Sequence, residues 1–359
     1  MARRARLGIR TGAAIAAVAC LGGGAATARA APPTLAQLVG QRLVVAMKGT
    51  HPNAPLLARI RAGQVGGVIL FSGNIVSRAQ VARLTARLQA AAHAGGRPPL
   101  LIATDQEGGI VRRIPWAPPK RSAAQLGALP SSFSGAAGRK AGAALHAVGI
   151  NLDLAPVADV PEGPADFIEA QGRAFSTSRF RVATDAAAFA AGLEGGGALP
   201  AMKHFPGLGL ATVSTDQAVV RITGSRGRLV RALLPYQVAF RRSLGPVVML
   251  STAIYPALGS HAAAWSRSII HELLRARLGF GGTTITDSLD AAAAARGLTD
   301  PVLALRSARA GADLLLVTGS QATSRGVYNA LLAAAKAGTL PRSHLTASYN
   351  RILGLKGRL

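Results

Sequence analysis

Three polar clusters in this chain combine residue types that could do acid–base or nucleophilic chemistry, and each directly follows an apolar run. Asp105-Gln106-Glu107-Gly108-Gly109 places two carboxyls beside a glycine pair that would let backbone approach a ligand closely. Lys203-His204-Phe205-Pro206-Gly207 places an ammonium beside an imidazole, and Asp287 stands between Thr283-Thr284-Ile285-Thr286 and Ser288-Leu289-Asp290. Carboxyls so placed can act as nucleophile or proton donor, while Lys and His add charge-assisted hydrogen bonds to a bound polar group. Each cluster also has a plainer reading. A carboxylate at a strand end often caps the following helix, and Lys203 could simply pair with a neighbouring carboxylate. The choice depends on whether the fold brings the clusters to one place.

Eight short apolar runs, at 43–47, 65–71, 100–104, 150–156, 200–204, 247–251, 283–287 and 313–317, alternate with Ala-, Leu- and Arg-rich stretches of helical period. Those stretches include 77–93, 132–148, 183–195, 229–244 and 267–278, several opened by a Ser or Asp able to cap free N–H groups. Two more, near 321–336 and 342–356, would close the ring. Eight strand–helix pairs predict a single α/β domain, a (β/α)8 TIM-type barrel. An open doubly wound sheet is the alternative, because periodicity does not distinguish closure from an open edge. No Gly-x-Gly-x-x-Gly follows the early strands and no Walker-type loop occurs, so nucleotide binding has no support. In a barrel the loops after the strands surround one pocket, and all three polar clusters fall at those strand ends.

With 49% hydrophobic and 16% charged residues over 359 positions, the chain can bury a sizeable core and is not a disordered segment. Forty-one Lys and Arg against 15 Asp and Glu give +26, which predicts non-specific attraction to anionic surfaces. The lone Cys20 excludes a disulfide framework and cysteine-rich metal clusters. Arg3, Arg4, Arg6 and Arg10 precede an apolar stretch at 12–22, and Ala28-Arg29-Ala30 has the small-x-small pattern of a cleavage site. Residues 1–30 therefore read as a signal peptide, too short in its apolar part for the roughly 20 residues of a membrane span. Cleavage after Ala30 would leave 31–359 with 36 basic and 15 acidic residues, +21 and no cysteine, for a secreted or cell-surface location. Lipidation at Cys20 and twin-arginine export through Arg3-Arg4 are the lesser readings.

Five ordered motifs carry a resemblance. Thr104-Asp105-Gln106-Glu107-Gly108-Gly109, Gly149-Ile150-Asn151-Leu152-Asp153-Leu154-Ala155-Pro156-Val157, Gly172-Arg173-Ala174-Phe175, Lys203-His204-Phe205-Pro206-Gly207 and Thr286-Asp287-Ser288-Leu289 resemble family 3 glycoside hydrolases, in particular the single-domain β-N-acetylhexosaminidases. The similarity runs from about Leu35 to Gly357. It implies a barrel fold and a retaining exo-glycosidase that removes terminal β-linked N-acetylglucosamine from cell-wall fragments or other glycans. It further implies that Asp287 is the nucleophile and that Asp105, Arg173, Lys203 and His204 surround the sugar hydroxyls. A retaining mechanism requires such a carboxylate beneath the ring, and needs neither metal nor cofactor.

The chain departs from the family where the proton comes from. After Lys-His-Phe-Pro-Gly these hexosaminidases carry His-Gly-Asp-Thr and then Asp-Ser-His, whose His is the general acid/base oriented by the Asp. Here the loop reads Leu208-Gly209-Leu210-Ala211-Thr212-Val213-Ser214-Thr215-Asp216, so Ser214 takes the place of the Asp and Asp216 that of the His. Asp216 is the acid candidate, provided that desolvation or a nearby carboxylate raises its pKa from the usual 3.9 or so. Its plainer role would be a loop cap or a partner of Arg221, Arg226 or Arg228.

The remaining histidines have no motif, although His261 follows the sixth strand and could reach the same rim. No His, Asp or Glu spacing suggests a zinc or calcium site. Scattered aromatics offer no base-stacking platform, so nucleic acid is not an expected partner despite the basic run Arg221, Arg226, Arg228, Arg231, Arg241 and Arg242. If the altered loop has abolished turnover, a sugar-binding protein of the same fold is the alternative function.

Overall fold

The computed structural model describes Met1, Ala2, Gly8 and residues 32–359. Apart from those three N-terminal residues the predicted signal segment, with Cys20 and the cleavage site at Ala30, lies outside the described residues. Residues 33–359 form one compact unit.

All eight apolar runs contain strands: β1 (Leu43–Ala46), β2 (Gly67–Ile69), β3 (Leu101–Thr104), β4 (Leu152–Asp153), β5 (Leu199–Phe205), β6 (Val247–Leu250), β7 (Thr283–Thr286) and β8 (Leu315–Val317). They pair in parallel in the order β8-β1-β2-β3-β4-β5-β6-β7. The ring closes between the last two, where Ile285 and Leu314 form a parallel bridge and the Thr286 N–H donates to the Leu314 carbonyl at 3.0 Å. The sheet is thus a barrel, and the open doubly wound alternative does not hold.

Strand periodicity of two divides the apolar side chains between the barrel interior and the outer layer. Val44, Ile69, Leu101, Ala103, Leu152, Ala201, Val247, Met249, Ile285 and Leu316 belong to the inner cluster, while Leu43, Val45, Val68 and Ile102 meet the helices. Ile352 and Leu355, from helix Arg342–Lys356, join the inner cluster and plug the floor, where the strands begin. With the interior filled below, the open space lies above, at the strand C-terminal ends.

Two local features differ from expectation. The stretch 229–244 divides into helices Arg226–Arg231 and Leu234–Arg241, because Pro235 lacks the N–H a continuous helix needs and instead sits in the first turn of the second. The segment after β3 folds into a small antiparallel hairpin, Gln106–Gly108 with Val111–Arg112. Gly108 and Gly109 turn it at φ +104° and +55°, and a Cβ on Gly108 would stand 2.2 Å from the Arg121 carbonyl oxygen. That close approach is to the chain's own backbone rather than to a ligand.

Candidate active site

The loops above β3, β4, β5, β7 and β8 enclose a cavity of about 330 Å³, toward the lower end of the usual size for a small-molecule site. Asp105, Arg173, Lys203, His204, Asp216 and Asp287 all line it. Asp105, Lys203, His204 and Asp287 thus meet as their strand-end placement predicted, and Arg173 and Asp216, singled out through the resemblance, join them although the six are up to 182 positions apart.

A charged lattice forms one wall. Lys203 Nζ bridges Asp105 Oδ1 at 2.8 Å and Glu107 Oε1 at 2.7 Å. Arg173 holds Glu107 through a two-pronged pair, Nε to Oε2 and Nη2 to Oε1, both at 2.8 Å. Burial alone would raise the Glu107 pKa, but Arg173 and Lys203 outweigh it and keep the carboxylate ionised. Burial would likewise depress Lys203, yet Asp105 and Glu107 push it up to about 12. The plainer role considered for Lys203 is thus realised together with its place in the cavity wall. Beneath lies Asp153, fully buried, with Oδ1 accepting the Gln106 N–H at 2.9 Å; burial pushes its pKa up to about 8.

Asp287 follows β7, and its Oδ1 accepts the Ser288 N–H at 2.8 Å. Asp216 stands on the long loop after β5, where the Ser214 Oγ accepts the Asp216 N–H at 3.1 Å. Neither carboxyl has a cationic partner among the described residues. Arg228 pairs with Glu162 instead, so it does not serve Asp216. Desolvation first, and the charge of Asp287 second, hold the Asp216 pKa up to about 6, even though the residue as a whole is exposed.

His204 has a partner that sequence reading did not single out. Asp159, fully buried, approaches its Nδ1 with Oδ2 at 2.7 Å. Asp159 lies 45 residues before His204, and its only signal was a carboxylate soon after the apolar run of β4. Glu107 was likewise visible as a type, but not as the partner of Arg173, 66 positions away. His261 hydrogen-bonds Ser260 in an exposed turn and is not part of the cavity wall.

The family model for the glycosyl hydrolase family 3 N terminal domain matches residues 34–355. The chain belongs to glycosyl hydrolase family 3. This family 3 hydrolase is 36% identical, over 335 residues covering 90% of it and 94% of the relative, to a protein of Arthroderma benhamiae described as an uncharacterized secreted glycosyl hydrolase. A β-hexosaminidase of Xanthomonas euvesicatoria is 34% identical over 288 residues, 77% of this chain and 83% of that one. Among solved structures, a β-N-acetylhexosaminidase from Beutenbergia cavernae superposes with a TM-score of 0.84 at 33% identity, covering 91% of this chain and 99% of that one. A family 3 β-N-acetylglucosaminidase from Paenibacillus gives 0.85 at 31% identity, with 91% of this chain matched to only 63% of its own length. Within the family, the likeness is to members of the β-N-acetylhexosaminidase type.

Proposed function

We propose that this glycoside hydrolase is a retaining exo-enzyme that releases terminal β-linked N-acetylglucosamine, with Asp287 as nucleophile and Asp216 as general acid/base. The observation that carries the reading is the pair of carboxyls, Asp216 and Asp287, that line one small cavity without ion-pair partners among the described residues while a lattice of Lys203, Arg173, Asp105 and Glu107 occupies its wall. In the first step an Asp287 oxygen bonds to the anomeric carbon as the glycosidic C–O bond breaks, and the Asp216 proton passes to the departing oxygen. In the second, Asp216 takes a proton from water, whose oxygen attacks the anomeric carbon and releases Asp287. Asp105, Arg173, Lys203 and His204 hold the sugar hydroxyls, and a raised pKa suits Asp216 to carry its proton toward neutrality.

Export of residues 31–359 is part of the proposal, supported by the N-terminal pattern and by the secreted Arthroderma relative. Cell-wall fragments or other glycans are the substrate class, and the net positive charge adds salt-sensitive attraction to anionic wall polymer. Among the described residues no helix is long and apolar enough to cross a membrane.

The test offers purified protein an aryl β-N-acetylglucosaminide and an aryl β-glucoside side by side, then a β-linked N-acetylglucosamine disaccharide. Turnover of the first in preference to the second is expected. Binding of N-acetylglucosamine without turnover of any substrate would instead support a sugar-binding protein on the same barrel.

A further inference from the structure

Asp159 has no role in the two steps above, yet its contact with His204 is closely defined. Asp159 is fully buried. Its Oδ1 accepts two main-chain N–H groups, from His204 at 3.1 Å and from Leu208 at 2.6 Å. Its Oδ2 meets His204 Nδ1 at 2.7 Å. No Lys or Arg pairs with this carboxylate among the described residues, so the imidazole N–H is what satisfies Oδ2. The network therefore assigns the ring proton to Nδ1. A neutral ring in that tautomer keeps Nε2 as a bare acceptor, and His204 lines the cavity beside Lys203 and Asp216. Lys203 and Arg173 can only donate. A neutral His204 ring in that tautomer would add a nitrogen acceptor to them.

We propose that Asp159 is a positioning residue: it holds His204 as the Nδ1–H tautomer, so that Nε2 accepts a hydrogen bond from a hydroxyl of the bound sugar. This rests on the reading of the cavity as a sugar site. The same carboxylate holds the Leu208 N–H, which ties the chain after β4 to the start of the loop that carries Asp216. A purely structural Asp159 would pin this loop and leave the tautomer without consequence.

Asp159→Asn separates the two. Its amide oxygen can keep both main-chain N–H groups, but its NH2 must face Nδ1 as a donor. The ring then carries its proton on Nε2, and what it offers the cavity is reversed. Nitrogen-15 NMR of histidine-labelled full chain, with His204 assigned by difference from His204→Gln, reads the tautomer directly. The expected result is Nδ1–H in the native protein and Nε2–H in Asp159→Asn. The kcat/KM on an aryl β-N-acetylglucosaminide should fall roughly 100-fold, mainly in kcat, because bonds to sugar hydroxyls tighten in the transition state. The thermal midpoint should stay within a few degrees.

Nε2–H in the native protein overturns the proposal, as does a reversed tautomer with unchanged kcat/KM. If Asp159→Asn does not fold, the native tautomer still decides, and Asp159→Glu, which keeps the acceptor but displaces the ring, should retain Nδ1–H while losing turnover. If the native protein hydrolyses no glycoside, the functional reading fails separately. The tautomer is then read with calorimetric titration of free N-acetylglucosamine: reversal with loss of binding supports the role of Asp159, and reversal with binding intact overturns it.

Discussion

The two ends of the barrel bury ionic groups in opposite ways. On the floor, Asp313 is fully buried and spends both oxygens on protein: Oδ2 accepts from Arg275 and from the Thr284 N–H, each at 2.8 Å, and Oδ1 accepts from Arg351. Lys356, also buried, donates to Gln41 Oε1 at 2.7 Å and to the Gly66 carbonyl at 2.8 Å. At the mouth, Lys203 and Arg173 are as firmly paired as anything on the floor, but Asp216 and Asp287 have no ion-pair partner among the described residues and line an open cavity. Charge burial by itself therefore does not mark a site. Carboxyls whose remaining hydrogen-bonding capacity points into a space do.

If that contrast is right, the largest effect of any single change is Asp287→Ala. Hydrolysis should fall by a factor on the order of 10⁵ or more for every leaving group, since the proposed mechanism forms its glycosyl-enzyme on this carboxylate. The fold should persist, with a thermal midpoint close to that of the native protein. Near-native turnover by the folded variant would remove Asp287 from the chemistry.

Asp216→Ala sharpens the contrast within the mouth. A general acid contributes typically 10²–10⁴-fold, and only where the leaving group needs a proton. A disaccharide should lose that much, while a nitrophenyl glycoside loses little, and added azide should partly rescue turnover by attacking the exposed glycosyl-enzyme. The raised pKa fixes the sign of the pH dependence: the proton is present below about 6 and is lost as pH rises through it. Disaccharide turnover should therefore decline across that range more steeply than turnover of the activated glycoside. Equal losses on both substrates would leave Asp216 a shaping role only.

Asp313→Ala is the converse change. It strands Arg275 and Arg351 and deprives the Thr284 N–H of its acceptor, at a cost of about 3–5 kcal/mol. Urea unfolding should detect that loss, with kcat per folded molecule hardly altered. A selective loss of turnover with stability intact would break the division between floor and mouth.

The ring of strands was legible because short apolar runs, most of them with Val, Ile or Thr, alternate with longer stretches of helical period, and the site residues because polar groups at the ends of such runs stand out. Boundaries were less so: the run 150–156 contributes only Leu152–Asp153 to β4, although the residues after it still bond the neighbouring strands, the Leu154 N–H donating to the Thr104 carbonyl at 2.8 Å and the Ala155 and Pro156 carbonyls accepting from the Ala201 and Lys203 N–H groups at 2.9 and 3.1 Å. The pairings Arg173–Glu107 and His204–Asp159 were not legible, because each joins segments that become neighbours only when the barrel closes. The floor plug was hidden for a related reason. Ile352 and Leu355 read as the apolar stripe of an ordinary outer helix, and nothing local distinguishes a helix beside a barrel from one beneath it.

The smallest expected effect contrasts two buried lysines. Lys203, between two carboxylates, has its pKa pushed up to about 12, whereas Lys356, with neutral acceptors only, is lowered by burial to about 7. For Lys356 the unfolded chain keeps the ordinary value near 10.4, so between pH 7 and 10 the unfolded state binds a proton that the folded state does not. Stability from this group must therefore rise with pH across that window. For Lys203 the sign is opposite: its contribution is complete below the unfolded value and is lost only as pH rises through about 12. Unfolding free energies of the native protein and Lys356→Met, compared at pH 7 and pH 9, should diverge in favour of the native protein by on the order of 2 kcal/mol. The same comparison with Lys203→Met should give a difference that barely changes between those pH values. Parallel behaviour of the native protein and Lys356→Met would mean that the floor lysine keeps its proton, and that two neutral oxygens there do the work that two carboxylates do at the mouth.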